Sequence, residues 1–97
     1  MYTQIVSFEW DPHKAAENLR KHGVSFSTEA IGVFDDDYAV TIPDDASDPN
    51  EQRLVTLAMG SKGRVLVVVY CYRGDNIRLI SERLATVREC NQYEARE

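Results

Sequence analysis

Apolar and polar positions alternate with period two through Ser7-Phe8-Glu9-Trp10, so Ile5 to Trp10 reads as an opening strand. Asp11-Pro12 changes the period. Asp can accept the orphan amide protons of a first helical turn, and Pro at the first position forfeits no hydrogen bond. Ala15, Ala16 and Leu19 then form an apolar stripe, and Arg20-Lys21-His22-Gly23 supplies cations and a glycine where a helix ends. A second short helix is predicted from Ser27, burying Ala30, Ile31 and Phe34. After Asp35-Asp36-Asp37 the period returns to two. Tyr38 to Ile42 reads as a strand, closed by Pro43 and an acidic loop reaching Glu51. Arg53 to Met59 and Arg64 to Arg73 form a hairpin across Gly60-Ser61-Lys62-Gly63, and Gly74-Asp75-Asn76 turns into a strand at Ile77 to Glu82. Thr86-Val87-Arg88-Glu89 is a capping box opening a last helix with Val87, Cys90 and Tyr93 on one side. The predicted order is β-α-α-β-β-β-β-α. This is an α+β fold, an antiparallel β-meander packed with two N-terminal helices and one C-terminal helix.

Composition adds limits. At 97 residues, 43% hydrophobic and 28% charged, the chain predicts one globular domain with a thin core. Its longest apolar run, Val65 to Tyr72, is far short of the roughly 20 residues of a membrane helix. Met1-Tyr2-Thr3-Gln4 has neither the basic stretch nor the apolar core of a signal peptide, so a cytoplasmic location is expected. Cys71 and Cys90 form no CxxC pair and are read as free, buried thiols.

Charge changes the picture more. The net charge of −5 hides an asymmetry: residues 23–51 sum to −8 with no Lys or Arg, while residues 52–88 sum to +5. Six of the seven cations in the second stretch are arginines, whose planar fork suits phosphate. One basic face on an acidic protein is compatible with RNA.

Other chemistries find little support. His13 and His22 are nine residues apart on one helix, about 900° of rotation, and face opposite ways. Asp44, Asp45, Asp48 and Glu51 lack the glycine and terminal glutamate spacing of a calcium hand. There is no GxSxG and no glycine-rich phosphate loop before a helix. No metal and no cofactor is expected. What remains is Arg64, Arg73, Arg78 and Arg83, at or near the ends of neighbouring strands, where a meander brings them close. For any single arginine, pairing with a carboxylate is at least as good a reading; their grouping favours the functional one. Trp10 and Tyr93 read as packing residues rather than stacking platforms.

Phe8-Glu9-Trp10-Asp11-Pro12, Lys14, Asn18, Lys21-His22-Gly23-Val24, Phe26 and Val33-Phe34-Asp35-Asp36 resemble, in order and spacing, the BrnT family of ribonuclease toxins. Glu51-x-Arg53, Gly60-Ser61, Arg64 to Tyr70, Arg73, Arg78-x-Ile80-Ser81-x-Arg83, Ala85-Thr86, Arg88-Glu89 and Tyr93-Glu94 continue the likeness over nearly the whole chain. The resemblance implies one toxin domain over 1–97 with a RelE-like fold. It also implies an RNA substrate and a BrnA-like ribbon-helix-helix antitoxin, two toxins assembling with two antitoxins. Operator DNA would be met only through the antitoxin, and no membrane is involved.

Metal-free RNA cleavage uses the 2′-hydroxyl as nucleophile, so the protein positions, deprotonates and neutralises. On the resemblance, Arg64, Arg78 and Arg83 act on phosphate with Lys21 assisting. Arg73 and Arg88 add RNA contacts, and His22 or Tyr93 stands near the transferred proton. The chain departs from the family pattern at Ser81-Glu82-Arg83-Leu84-Ala85, where Ser-Ala-Arg-Lys-Ala is usual, and at Cys90-Asn91-Gln92, where a basic run is usual. Fewer phosphate contacts imply weaker RNA binding. An inactive toxin relative that only binds antitoxin is the alternative. A stand-alone DNA-binding regulator is disfavoured by the absence of helix-turn-helix or zinc spacing.

Overall fold

The computed structural model describes residues 7–44 and 52–95; the start of the opening strand and the acidic loop after Asp44 lie outside them. The elements are β1 (Ser7–Glu9), α1 (Pro12–His22), a 3-10 helix (Ala30–Asp35), β2 (Val40–Pro43), β3 (Arg53–Met59), β4 (Val65–Arg73), β5 (Asn76–Leu84) and α2 (Val87–Glu94). Local chemistry caps the helices as the sequence predicts, whereas β2 starts and ends later than the expected Tyr38–Ile42 and β5 runs beyond the expected Ile77–Glu82 at both ends. The Asp11 carboxylate accepts from the His13 and Lys14 amides, and Gly23, at φ 68°, closes α1 in the left-handed region that glycine adopts without strain. Thr86 and Glu89 form the reciprocal capping box of α2.

Two expectations are corrected. The five strands lie in the order β1-β5-β4-β3-β2, and β1 runs parallel to β5, with Ser7 opposite Asn76 and Glu9 opposite Arg78. The sheet is therefore mixed, a four-strand antiparallel meander with the first strand added beside the last. Parallel neighbours need a long crossover, and everything from α1 to β4 lies between these two. The second predicted helix is a 3-10 segment of six residues without a side-chain cap. Six residues containing Gly32 and β-branched Val33 are too few and too poor in helix formers to sustain an α-helix.

α1 and the 3-10 helix cover one face of the sheet. Val24, Phe26, Ala30 and Val33 meet Ala58, Leu66, Val68, Tyr70, Ile77 and Leu79 there, and Trp10 packs edge-on against Phe26 at 6.2 Å. Backbones come close where the 3-10 helix meets the β3–β4 turn. A Cβ at Gly60 would sit 2.8 Å from a Leu66 methyl and 2.9 Å from the Glu29 carbonyl oxygen, so that position requires glycine.

The decisive irregularity is in β5. Tyr70 of β4 pairs with Leu79 and Val69 with Ser81, which leaves Ile80 as an extra residue. A β-bulge of this kind inverts the alternation of every later side chain. In a regular strand Arg78 and Arg83, five positions apart, would point to opposite faces. Instead Arg78 pairs with Cys71 and Arg83 with Val67, two residues of β4 that share a face, so both arginines share it too. The same inversion turns Glu82 inward, opposite Val68 in the core. Its carboxyl is buried with no hydrogen-bond partner on either oxygen, and burial pushes its pKa up to about 9. Glu82 is therefore neutral and internal, and the acidic substitution expected to weaken the basic surface removes no positive charge from it.

Candidate nucleic-acid interface

The face of the sheet away from α1 is half open. Strand register places Val40 and Ile42 of β2, Val55 and Leu57 of β3, and Val65, Val67 and Val69 of β4 on it as an apolar floor. Glu89 and Gln92 of α2 border that floor, so α2 crosses one end of this face. Ile42 is 58% exposed, an unusual state for a sheet isoleucine. Beside the floor, β5 contributes a polar row of Asn76, Arg78, Ser81 and Arg83. Arg53, opposite Cys71, and Arg73, two residues beyond it, add cations at the end remote from α2.

Arg73, Arg78 and Arg83 each meet a carboxylate, with different closeness. Arg83 forks onto Glu89, Nη1 to Oε1 at 2.8 Å and Nη2 to Oε2 at 3.0 Å. That fork, aided by the Thr86 amide, holds the Glu89 carboxyl down at about 2. Arg78 reaches Glu9 through one longer contact of 3.3 Å, and Arg73 Nε lies 4.0 Å from the same oxygen. The Asn76 amide lies 3.5 Å from the other Glu9 oxygen and accepts from the Ser7 hydroxyl at 2.9 Å. Glu9, Arg73 and Arg78 thus form a loose, accessible cluster where β1, β5 and the end of β4 meet.

The remaining sequence-predicted residues divide. Lys21 and His22 are exposed on the last turn of α1 and line a groove with Lys14, Glu17, Asn18, Ile80 and Ser81, along the edge of β5 that β1 does not reach. The Asn18 side chain fastens that edge, accepting from the Glu82 amide at 3.1 Å and donating to the Val24 carbonyl at 3.2 Å. Arg88 is exposed on α2. Arg64 stands apart: its Nε and Nη2 grip the fully buried Glu29 at 2.8 and 2.5 Å, and Nη2 also donates to the Gly23 carbonyl. Tyr93 is 2% exposed and donates to Asp36 Oδ2 at 2.5 Å. Although desolvation opposes it, donation from the Met59 amide, the Tyr93 hydroxyl and the Tyr38 amide keeps the Asp36 carboxyl below its ordinary range. The structure thus gathers Lys21, His22, Arg73, Arg78 and Arg83 around β5 and leaves Arg64 and Tyr93 in contacts that hold the fold together.

Sequence reasoning assigned no role to Glu9, Asn76 or Ser7. The signal was present, since Glu9 belongs to the Phe8-Glu9-Trp10 motif, but only parallel pairing of β1 with β5 brings it to Arg78. Among the described residues, no three His, Cys, Asp or Glu side chains converge as a metal site, and no helix is long and apolar enough to cross a membrane.

A small α+β protein with one packed sheet face and one open face, the open one walled by arginines, presents a surface suited to a polyanion. The sequence matches, over residues 10–89, the family described as ribonuclease toxin, BrnT, of type II toxin–antitoxin systems, and the chain belongs to that family. Its fold is similar to the crystal structure of the Brucella abortus ribonuclease toxin BrnT, with a TM-score of 0.65 at 23% identity over 82% of this chain and 96% of that one. No curated protein matches the chain. A toxin of such a system implies RNA as target and an antitoxin as partner.

Proposed function

We propose that the chain is an endoribonuclease that cleaves RNA on the open sheet face without a metal, using the substrate's 2′-hydroxyl as nucleophile. The observation that carries this reading is the β5 bulge, which aligns Arg78 and Arg83 on one face with Arg73 beside them. Arg73 and Arg78 both approach the partly exposed Glu9 carboxylate at 4.0 and 3.3 Å, and a scissile phosphate can take its place beside them. Arg83 and Arg88 follow the chain toward α2, Lys21 and His22 take a flanking phosphate at the β5 edge, and nucleobases lie on the valine floor. Arg64 and Tyr93 support the scaffold. We further propose a cytoplasmic, RelE-like toxin over 1–97, neutralised by a BrnA-like ribbon-helix-helix antitoxin in an assembly of two toxins with two antitoxins. Contact with operator DNA is made only through the antitoxin.

Purified chain incubated with total RNA in excess chelator should yield fragments ending in 2′,3′-cyclic phosphate, and Arg78→Ala should slow their formation by about 10²–10³. Intact RNA at high protein excess overturns the reading. The fork of Arg83 onto Glu89 favours one alternative, a catalytically inactive relative that acts only by binding antitoxin. That alternative predicts complex formation with no growth arrest on expression.

A further inference from the structure

We propose that Glu9 is the catalytic general base, the group that takes the proton from the 2′-hydroxyl; this rests on the ribonuclease reading above. In RNA the attacking O2′ is separated from its phosphorus only by the ribose carbons and O3′. A base that serves it must therefore stand beside the cations that hold the phosphate. Glu9 does so: its Oε1 lies 3.3 Å from Arg78 Nη1 and 4.0 Å from Arg73 Nε.

Among the described residues, the other glutamates near an arginine or on β5 are committed or placed elsewhere: Glu17 pairs with Arg20 on α1, away from Arg73 and Arg78. Glu29 is fully buried under the Arg64 fork. Glu82 is sealed inside the core. Glu89 gives both oxygens to Arg83 and also accepts from the Thr86 amide. Glu9 has a side chain 34% exposed, open to substrate, and its contacts are longer than either fork. A phosphate arriving at Arg73 and Arg78 can displace those contacts, which leaves the carboxylate free to accept a new hydrogen bond. Its backbone is held by the parallel ladder to β5, between Phe8, packed on Phe34 at 5.3 Å, and Trp10, packed on Phe26. A base on a short strand pinned on both sides is placed more firmly than one on a loop.

A Glu9 oxygen accepts the 2′-hydroxyl proton as O2′ bonds to phosphorus and the bond from phosphorus to O5′ breaks. Arg73 and Arg78 hold the phosphoryl oxygens as negative charge grows on them. The products are a 2′,3′-cyclic phosphate and a 5′-oxygen that takes a proton from water; Glu9 then releases its proton to solvent.

Glu9→Gln, Glu9→Asp and Arg78→Ala test this in the full chain by cleavage of total RNA and by binding of a mixed-sequence oligonucleotide methylated at every 2′-oxygen. Glu9→Gln should cut about 100-fold more slowly or worse, bind the methylated strand as tightly as or more tightly than wild type, and lose the acid limb of the pH–rate profile. Glu9→Asp should recover part of the rate, and Arg78→Ala should lose binding and rate together. If Glu9→Gln cuts within threefold of wild type, the assignment falls and the ribonuclease reading stands. If Glu9→Gln loses binding in step with rate, Glu9 only positions the arginines and the assignment falls. If wild type itself cuts nothing, the ribonuclease reading falls and takes the assignment with it, an outcome set apart from the first by the inactive parent.

Discussion

On the packed face of the sheet, Arg64 forks onto a carboxylate shut away from water; on the open face, Arg78 touches one that a third of its surface leaves exposed. The residue types are the same and the outcomes differ because of solvent access. A carboxylate in the interior has no substitute for its partner, so the Arg64–Glu29 pair is a fixed strut between the 3-10 helix and the β3–β4 turn. A pair at the surface gains little, because water and salt screen it and the side chains must be ordered to form it. What makes the Glu9 cluster a poor strut makes it a good exchange site for phosphate. The bulge at Ile80 links the two faces, bringing Arg83 out beside Arg78 and turning Glu82 in.

The hardest blow to this comparison would come from Arg64. Arg64→Ala strands the Glu29 carboxyl in the interior and should lower the thermal midpoint by about 10–20 °C, while the folded fraction keeps its affinity for RNA. A large loss of RNA affinity with an unchanged midpoint would put Arg64 on the functional side. Arg78→Ala is the mirror experiment. It should cost about 10²–10³ in cleavage rate and less than about 0.5 kcal/mol in stability by urea denaturation.

How far the sequence carried this comparison depends on the range of the interactions involved. Asp11, Gly23, Thr86 and Glu89 act within four residues of themselves, and both ends of α1 and the start of α2 were legible for that reason. Strand β3 was also legible at its observed bounds, because its apolar run ends on glycine. The parallel pairing of β1 with β5 was not, because Glu9 and Arg78 meet across most of the chain with no local pattern to announce it. The bulge left only a faint mark, the adjacent apolar pair Leu79-Ile80 that interrupts the period of two, and only pairing with β4 shows Ile80 to be extra. Hence arginines counted correctly as a group could not be sorted by face. Arg64 and Arg83 look alike in sequence, yet one supports the fold and the other borders the open surface.

Glu82 gives the next test. Its pKa is near 9 when folded against an ordinary 4.5 when unfolded, so the unfolded chain holds fewer protons than the folded one between those values. Stability is therefore greatest below about pH 4.5 as far as this group is concerned, and falls as pH rises toward 9. Glu82→Gln removes the titration and should stabilise the protein by about 3 kcal/mol at pH 7, with the gain shrinking toward pH 5. A variant whose urea midpoint tracks wild type at every pH would mean that the carboxyl finds a partner or water in solution.

Glu89→Gln probes the smallest difference, that between the two pairings on the open face. Glu89 sits near 2 in the folded protein, so its contribution is present above about pH 4.5 and is lost as pH falls toward 2, the reverse of Glu82. Replacing it weakens the Arg83 fork and the capping box, and should cost about 1 kcal/mol at pH 7. The same change releases Arg83 beside Arg78, so affinity for a non-cleavable RNA strand should rise. The logarithm of the binding constant should then fall more steeply with the logarithm of salt, by up to about 0.7, as one phosphate contact is added. Stability and affinity are thus expected to move in opposite directions. If both fall together, Arg83 reads RNA only while held by Glu89, and the fork itself belongs to the binding surface.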